Sequence, residues 1–196
     1  MPRPANPETR SKLLEKGGDL VSSHGFNATG VQEITDAAGV PKGSFYNYFE
    51  SKEAFAVEVL AGYWSSVAEL YGPLLREKET PPIHRIVNYF RGLADFHKRR
   101  RYAVGCLIGN MALEVTPSST EVRAKLISIY REWSEALADC LREAQARKEL
   151  AAAKDPKQLA AVLIDTFEGT VMRAKVERSG KPFDNFEKSV LPYLLT

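Results

Sequence analysis

Cysteine is scarce in this chain. Two occur in 196 residues, Cys106 and Cys140, too few for a disulfide framework. Histidine appears three times, at 24, 84 and 97, never at a metal-ligand spacing such as His-Glu-x-x-His, and no Walker or dinucleotide glycine pattern is present. Nothing in the sequence sets a nucleophile beside a base. Enzyme chemistry, a metal and a cofactor therefore find no support. No apolar run approaches the roughly 20 residues a bilayer requires, and the opening residues hold no secretory h-region. Together these absences predict a reduced, cytoplasmic protein with no membrane partner. Repeats and low-complexity tracts are also missing. An excess of one charge is missing too: 27 Lys and Arg stand against 25 Asp and Glu, for a net charge of +2. Within residues 1–52 six basic residues meet six acids, so any positive surface there must come from placement.

What is present reads as helix. Hydrophobic residues make up 44% and charged residues 27%, ordinary for a globular chain, and no segment alternates like a strand. After a Pro-rich arm bearing Arg3, a first helix spans about Glu8 to His24, with Leu13, Leu14, Gly17, Leu20 and Val21 inside and Phe26 as a core plug. Ser51 caps a long helix that ends at Gly72-Pro73, and Thr80-Pro81-Pro82 begins another that closes in the basic run HKRRR. A short helix near Cys106 to Val115 follows. Ser118 and Glu121 have capping-box spacing for the next, Asp155-Pro156 opens one to about Arg178, and Asp184 with Glu187 suggests a last one. The expectation is an all-α fold of about nine helices. Residues 1–52 form a head and 53–196 a larger helical bundle.

The chain is organised around Thr29 to Lys52, TGVQEITDAAGVPKGSFYNYFESK. Thr29 and Gln32 have capping-box spacing, and Val31, Ile34, Ala37 and Ala38 share a helical face. Gly39 breaks that helix as a left-handed residue, and Pro41 suits the start of a second, Lys42 to about Phe49. Phe45, Tyr48 and Phe49 offer an inner surface, while Lys42, Gly43, Ser44, Tyr46 and Asn47 make a small polar one. Such a helix-turn-helix can lay its second helix in a DNA major groove, with Lys and Asn reaching bases, Ser and Tyr bonding phosphates, and Lys52 neutralising one. The same pattern also fits an ordinary helical hairpin with a solvated face.

GVPKGSFYNYFESKEAF resembles the signature of the TetR family of transcriptional regulators, in which Gly39, Val40, Gly43, Ser44, Tyr46, Phe49 and Lys52 fill the characteristic places, with Phe26 and Thr29 fitting the approach. The resemblance implies DNA contacts from Thr29, Lys42, Gly43, Ser44, Tyr46, Asn47, Tyr48 and Lys52. It also implies a homodimer on a pseudo-palindromic, double-stranded operator, released as a repressor by a small-molecule effector.

Beyond the head, the helix after Asp155 is apolar over more than one face. Leu163, Phe167, Gly169 and Val171, with Phe186, Val190 and Leu194 of the last helix, suit a dimer interface; a central helix of a monomer would read the same. Tyr63, Trp64, Phe90, His97, Asn110, Met111, Tyr130, Trp133 and Phe167 can line an effector pocket or simply fill an aromatic core. His97 sits in HKRRR, read as a solvated helix terminus that could instead attract an anionic effector. Cys106 follows Gly105 at a helix N-terminus, five residues after Arg101, where amides and cations favour the thiolate. Its segment, GCLIGNMALEV, resembles that of a TetR subgroup answering to electrophiles, acrylate-type compounds or hypochlorous stress. Cys106 thus reads as an electrophile sensor or as a small buried hydrophobe, and Cys140 as core.

Overall fold

The computed structural model describes residues 6–196, so the arm with Arg3 lies outside the described residues. Among them every regular element is helical. In order they are α1 Pro7–His24, α2 Val31–Ala38, a 3-10 helix Lys42–Asn47, α3 Lys52–Arg76, α4 Pro82–Arg99 and α5 Leu107–Glu114. Then come α6 Thr120–Ala146, α7 Pro156–Glu177, α8 Lys181–Asn185, a π-helical stretch Phe186–Val190 and α9 Leu191–Leu195. The fold is all-α, as the sequence predicts. Two compact units share the chain: one runs through Trp64 and takes in Leu107–Ile127, the other holds Ser65–Cys106 and Ser128–Thr196. No helix of the described residues is long and apolar enough to cross a membrane.

The first unit is built on α1. Asn6 caps it through its side chain, which accepts from the Glu8 amide, and Pro7 stands in the first turn, where a missing N–H costs nothing. Leu13, Gly17 and Val21 face inward. A Cβ on Gly17 would come within 2.5 Å of the Phe55 ring and 2.9 Å of Ile34, so the absent side chain lets α1 lie against both neighbours. Phe45, Phe49 and Phe55 pack with ring centroids 5.1 to 5.5 Å apart. Burying aromatic rings of this size gives the largest hydrophobic contribution per residue.

Several helix ends differ from expectation. Gly30, not Thr29, caps α2, and the Glu33 carboxylate rather than Gln32 accepts the Gly30 N–H at 2.9 Å. Gln32 instead donates to Asp36 at 2.6 Å. The box has moved one residue because the Thr29 side chain is enclosed. Ala37 is exposed, and buried Thr35 takes the inner place beside Ile34. Helix α3 passes through Gly72-Pro73 to Arg76. Pro73 and Glu69, the residue four before it, are both exposed, so the carbonyl that loses its N–H partner faces water. Ser119 rather than Ser118 caps α6, its hydroxyl accepting the Val122 amide at 3.2 Å. The last helical stretch begins at Lys181, ahead of Asp184.

In the second unit Phe90 of α4, Phe167 of α7 and Phe186 form an aromatic knot with centroids 5.1 to 5.4 Å apart, and Phe183 lies 5.8 Å from Phe167. Arg85 is fully buried. Its Nε donates to Thr80 O at 2.7 Å, and Nη1 to Leu75 O and the Glu143 carboxylate at 3.3 and 2.9 Å. One guanidinium thereby satisfies a carbonyl of the last turn of α3, which helix geometry leaves without a partner, and one from the loop into α4. Asp155 caps α7 through the amides of Lys157 and Gln158.

Candidate DNA-reading surface and sensing cluster

Gly39, at φ 68° and ψ 35°, ends α2 in the left-handed region, which a residue lacking Cβ adopts without strain. The chain then turns through Pro41 into Lys42–Asn47. That element is a 3-10 helix ending at Asn47, not an α-helix to Phe49. With three residues per turn it divides cleanly: Phe45 is fully buried, while Lys42, Gly43, Tyr46 and Asn47 face solvent and Ser44 is half-buried. Tyr46 is 57% exposed although its ring makes an edge contact with Phe45 at 5.4 Å. The polar surface therefore stands on an aromatic base and cannot turn inward without losing it.

Three residues implied by the resemblance sit differently. Thr29 is enclosed, and its hydroxyl donates to Gly25 O at 2.7 Å; a β-branched residue just before the cap fills the core and ties the turn. Tyr48 is half-buried, and its hydroxyl accepts the Asn6 amide at 3.1 Å. Lys52 donates to Phe26 O at 2.6 Å, with its ammonium 4.1 Å from the Phe26 ring centroid. Burial holds its pKa below the usual lysine value, against the opposing pull of Glu53, Glu114 and Glu33.

The proposed pocket residues fall in both units. Tyr63, Trp64, Asn110 and Met111 belong to the first unit, whereas Phe90, His97, Cys106, Tyr130, Trp133 and Phe167 belong to the second. In the second, Phe90 and Phe167 are committed to the aromatic knot. His97 is not a solvated end residue but is buried at 5% exposure, its ring stacked 5.7 Å from Phe183 and its Nδ1 3.3 Å from Val104 O. Burial first, and then the Arg100 charge, push its pKa down to about 4 against the Val104 hydrogen bond. The exposed part of the basic run begins at Lys98.

Cys106 is 8% exposed and immediately precedes α5. The thiol faces Glu168 of α7, a residue the sequence reading passed over. Burial raises the Glu168 pKa, the Cys106 hydrogen bond partly opposes this, and Asp165 adds to the rise. Glu168 Oε1 is enclosed without a hydrogen-bond partner. Tyr130 stacks on Trp133 at 6.5 Å, and its pKa is raised by burial and then by the charges of Glu168, Cys106 and Asp165. Tyr89 of α4, 3% exposed, has its pKa raised chiefly by burial. An acid next to buried Phe167, in a helix that also carries Asp165 and Glu177, was the available signal for Glu168. Cys140 behaves as core: its thiol donates to Pro82 O at 3.4 Å, and burial raises its pKa to about 11.

Four of the seven suggested dimer residues have little free surface. Leu163, Phe167, Val171 and Phe186 are enclosed within the chain at 0 to 2% exposure, because the wide apolar face of α7 covers its own unit. Val190 and Leu194 are half-buried. Outward stand Val162, Asp165, Gly169, Met172 and Val176, spaced three and four apart, with Val162, Met172 and Val176 at 40, 61 and 80% exposure. A Cβ at Gly169 would meet nothing within 4 Å.

Comparison with known proteins agrees with this architecture. The family model for bacterial regulatory proteins of the tetR family matches residues 13–59, and that for the tetracyclin repressor-like C-terminal domain matches 82–190. The HTH-type transcriptional repressor DhaR of Mycobacterium sp. (strain GP1) is 37% identical over 97% of this chain and 94% of its own. A crystal structure of regulatory protein TetR from Rhodobacter sphaeroides has a TM-score of 0.88 at 32% identity, covering 94% of this chain and 98% of that one. The reduced form of Escherichia coli NemR has a TM-score of 0.82 at 30% identity, covering 96% and 97%.

Proposed function

Because this chain belongs to the TetR family and is a DNA-binding transcriptional regulator rather than an enzyme, we propose that it acts as a cytoplasmic homodimeric repressor. It holds a pseudo-palindromic operator until a small-molecule effector releases it. Residues 1–52 supply the reading head and 53–196 the effector and dimer functions. The observation that carries the reading is the 3-10 helix, whose outer side offers Lys42, Gly43, Tyr46 and Asn47 while Phe45 anchors the other. Lys42 and Asn47 suit base edges; Ser44, Tyr46 and the free hydroxyl proton of Tyr48 suit phosphates. Lys52 adds charge near the start of α3. The dimer forms through the outward α7 seam centred on Gly169, where two helices can approach closely, and the two-fold axis sets half-site spacing. Release by a hundredfold drop in operator affinity requires about 2.7 kcal/mol of coupling between effector and DNA. Operator selection from random duplexes tests the reading: a palindromic consensus bound in a salt-dependent manner is expected, and indifference to all duplexes would sink it.

A second reading makes Cys106 the sensing group for electrophiles or oxidants. Its place before α5 and its contact with the Glu168 carboxyl support this, as does the description of one relative, NemR, in a reduced form. Cys106→Ser should then abolish release by a thiol-reactive compound while operator binding persists. A response that survives the substitution moves sensing elsewhere.

A further inference from the structure

We propose that Glu168 takes the thiol proton of Cys106 and so makes that sulfur the attacking group toward small, neutral α,β-unsaturated carbonyl compounds. This rests on the second reading above and adds to it a residue, a proton path and a ligand class.

A carboxyl oxygen enclosed without a hydrogen-bond partner is costly to keep and uncommon in folded proteins. Glu168 Oε1 is one such atom. A structural ion pair would place a cation against it. The groups acting on its charge are instead the thiol of Cys106 and the carboxylate of Asp165 on its own helix. From α6, the Tyr130 hydroxyl responds to the same two carboxyls and the same thiol, and from α4 Tyr89 responds to Cys106. The surroundings are thus acidic, phenolic and aromatic. Such a site discourages a resting thiolate in the absence of a nearby proton acceptor, and Glu168 provides one. Burial makes this carboxylate more basic than an exposed glutamate, which improves its ability to take a proton.

The step needs no oxidant. The S–H proton passes to the Glu168 carboxylate as the sulfur lone pair forms a bond to the β-carbon of the acceptor. The C=C π pair moves into the carbonyl as an enolate. Glu168 then returns the proton to the α-carbon, leaving a thioether and a regenerated carboxylate. A neutral acceptor is favoured, because Asp165 and ionised Glu168 would repel a carboxylate-bearing one.

The test follows the rate of Cys106 adduct formation by mass spectrometry, using the full-length chain and methyl vinyl ketone between pH 5 and 9. The wild-type rate is expected to pass through a lower inflection as Glu168 ionises. Glu168→Gln should slow the reaction at pH 7 by about tenfold or more and erase that inflection. Glu168→Asp, which keeps a carboxylate, should retain the inflection at a reduced rate, and it serves if the amide variant folds poorly. Equal rates and profiles in wild type and Glu168→Gln would overturn the assignment while leaving Cys106 a sensor. A wild-type profile lacking the lower inflection would do the same. Absence of any Cys106 adduct in wild type would overturn the electrophile reading itself.

Discussion

The backbone amide of Asn27 donates to the Glu114 carboxylate at 3.0 Å, and the Asn27 side chain donates to the Glu114 carbonyl at 3.2 Å. Through this double bond the C-terminal end of α5 grips the loop between α1 and α2, inside the first unit. The same carboxylate crowds Gly25, where a Cβ would lie 2.7 Å from Glu114 Oε1, and Gly25 itself has φ +93°. The helix that begins one residue after Cys106 thus ends on the loop that leads into α2.

Two costs are expected at Gly25, and a cycle of variants separates them. Glu114→Ala should lower stability by about 1 kcal/mol through the lost hydrogen bond from the Asn27 amide, while the backbone carbonyl keeps the one from the Asn27 side chain. Gly25→Ala should cost more, because it adds a steric clash to a penalty of about 1–3 kcal/mol for a positive-φ, extended-ψ backbone open essentially to glycine alone. In the Glu114→Ala background only the backbone part remains, so the double variant should be less destabilised than the sum of the two singles. Chemical denaturation of the four proteins measures this. Strict additivity would show that Glu114 does not press on Gly25.

His97 should shape the acid limb of stability. Its folded pKa of about 4 lies below the unfolded value near 6.5, so the neutral ring is the form the fold accommodates. The associated stability is fully present above about pH 6.5 and is lost as pH falls toward 4, amounting to about 3 kcal/mol at most. His97→Phe keeps a ring against Phe183 and removes the titration. Its stability should fall less than wild type between pH 6.5 and 4 in parallel denaturation series. Identical slopes would mean that the ring protonates without cost.

Local sequence signals located most of the helices, and tertiary contacts explain where they misled. Asp155-Pro156, Ser51 and Gly39 act through their own backbone neighbourhood, and each stands at a helix end as expected. Thr29 and Ser118 have the chemistry of caps, yet Gly30 and Ser119 hold those places, because burial of Thr29 and of Ser119 sets the register. Periodicity showed that α7 is apolar on more than one side, but not which side its own unit would cover. Leu163 and Val162 are adjacent and equally apolar; one is sealed in and the other is 40% exposed. Glu168 and Arg85 are charged residues beside apolar stripes, which on sequence alone resemble the edge of a solvated face. Only the approach of Cys106 to the first, and of Glu143 and two backbone carbonyls to the second, distinguishes them.

The outward seam of α7 yields a prediction about assembly. With open space at its Cβ position, Gly169→Ala should strengthen the helix by about 0.5–1 kcal/mol, and Gly169→Leu should leave the isolated chain folded. If two copies meet at this glycine, the alanine variant should dissociate more readily than wild type and the leucine variant far more. Met172→Glu, which adds an exposed charge without touching the core, should act like leucine. Light scattering across a dilution series gives the mass, and circular dichroism monitors the fold. A leucine variant as dimeric as wild type would exclude this seam.

Lys42 and Lys52 are predicted to fail in different ways on an operator. Lys42 is exposed on the 3-10 helix, so its removal should spare the fold. If it reads a base, Lys42→Ala should relax preference at one operator position by about 1–3 kcal/mol. Lys52 has a second task, since its ammonium bonds Phe26 O and lies over the Phe26 ring. Lys52→Ala should therefore loosen the head, seen as faster amide exchange around Phe26, as well as weaken binding evenly across sequences. A phosphate contact adds one further signature, a salt slope reduced by about 1. Faster exchange with an unaltered slope would confine Lys52 to holding Phe26, leaving DNA contact to Lys42 and its polar neighbours on the 3-10 helix.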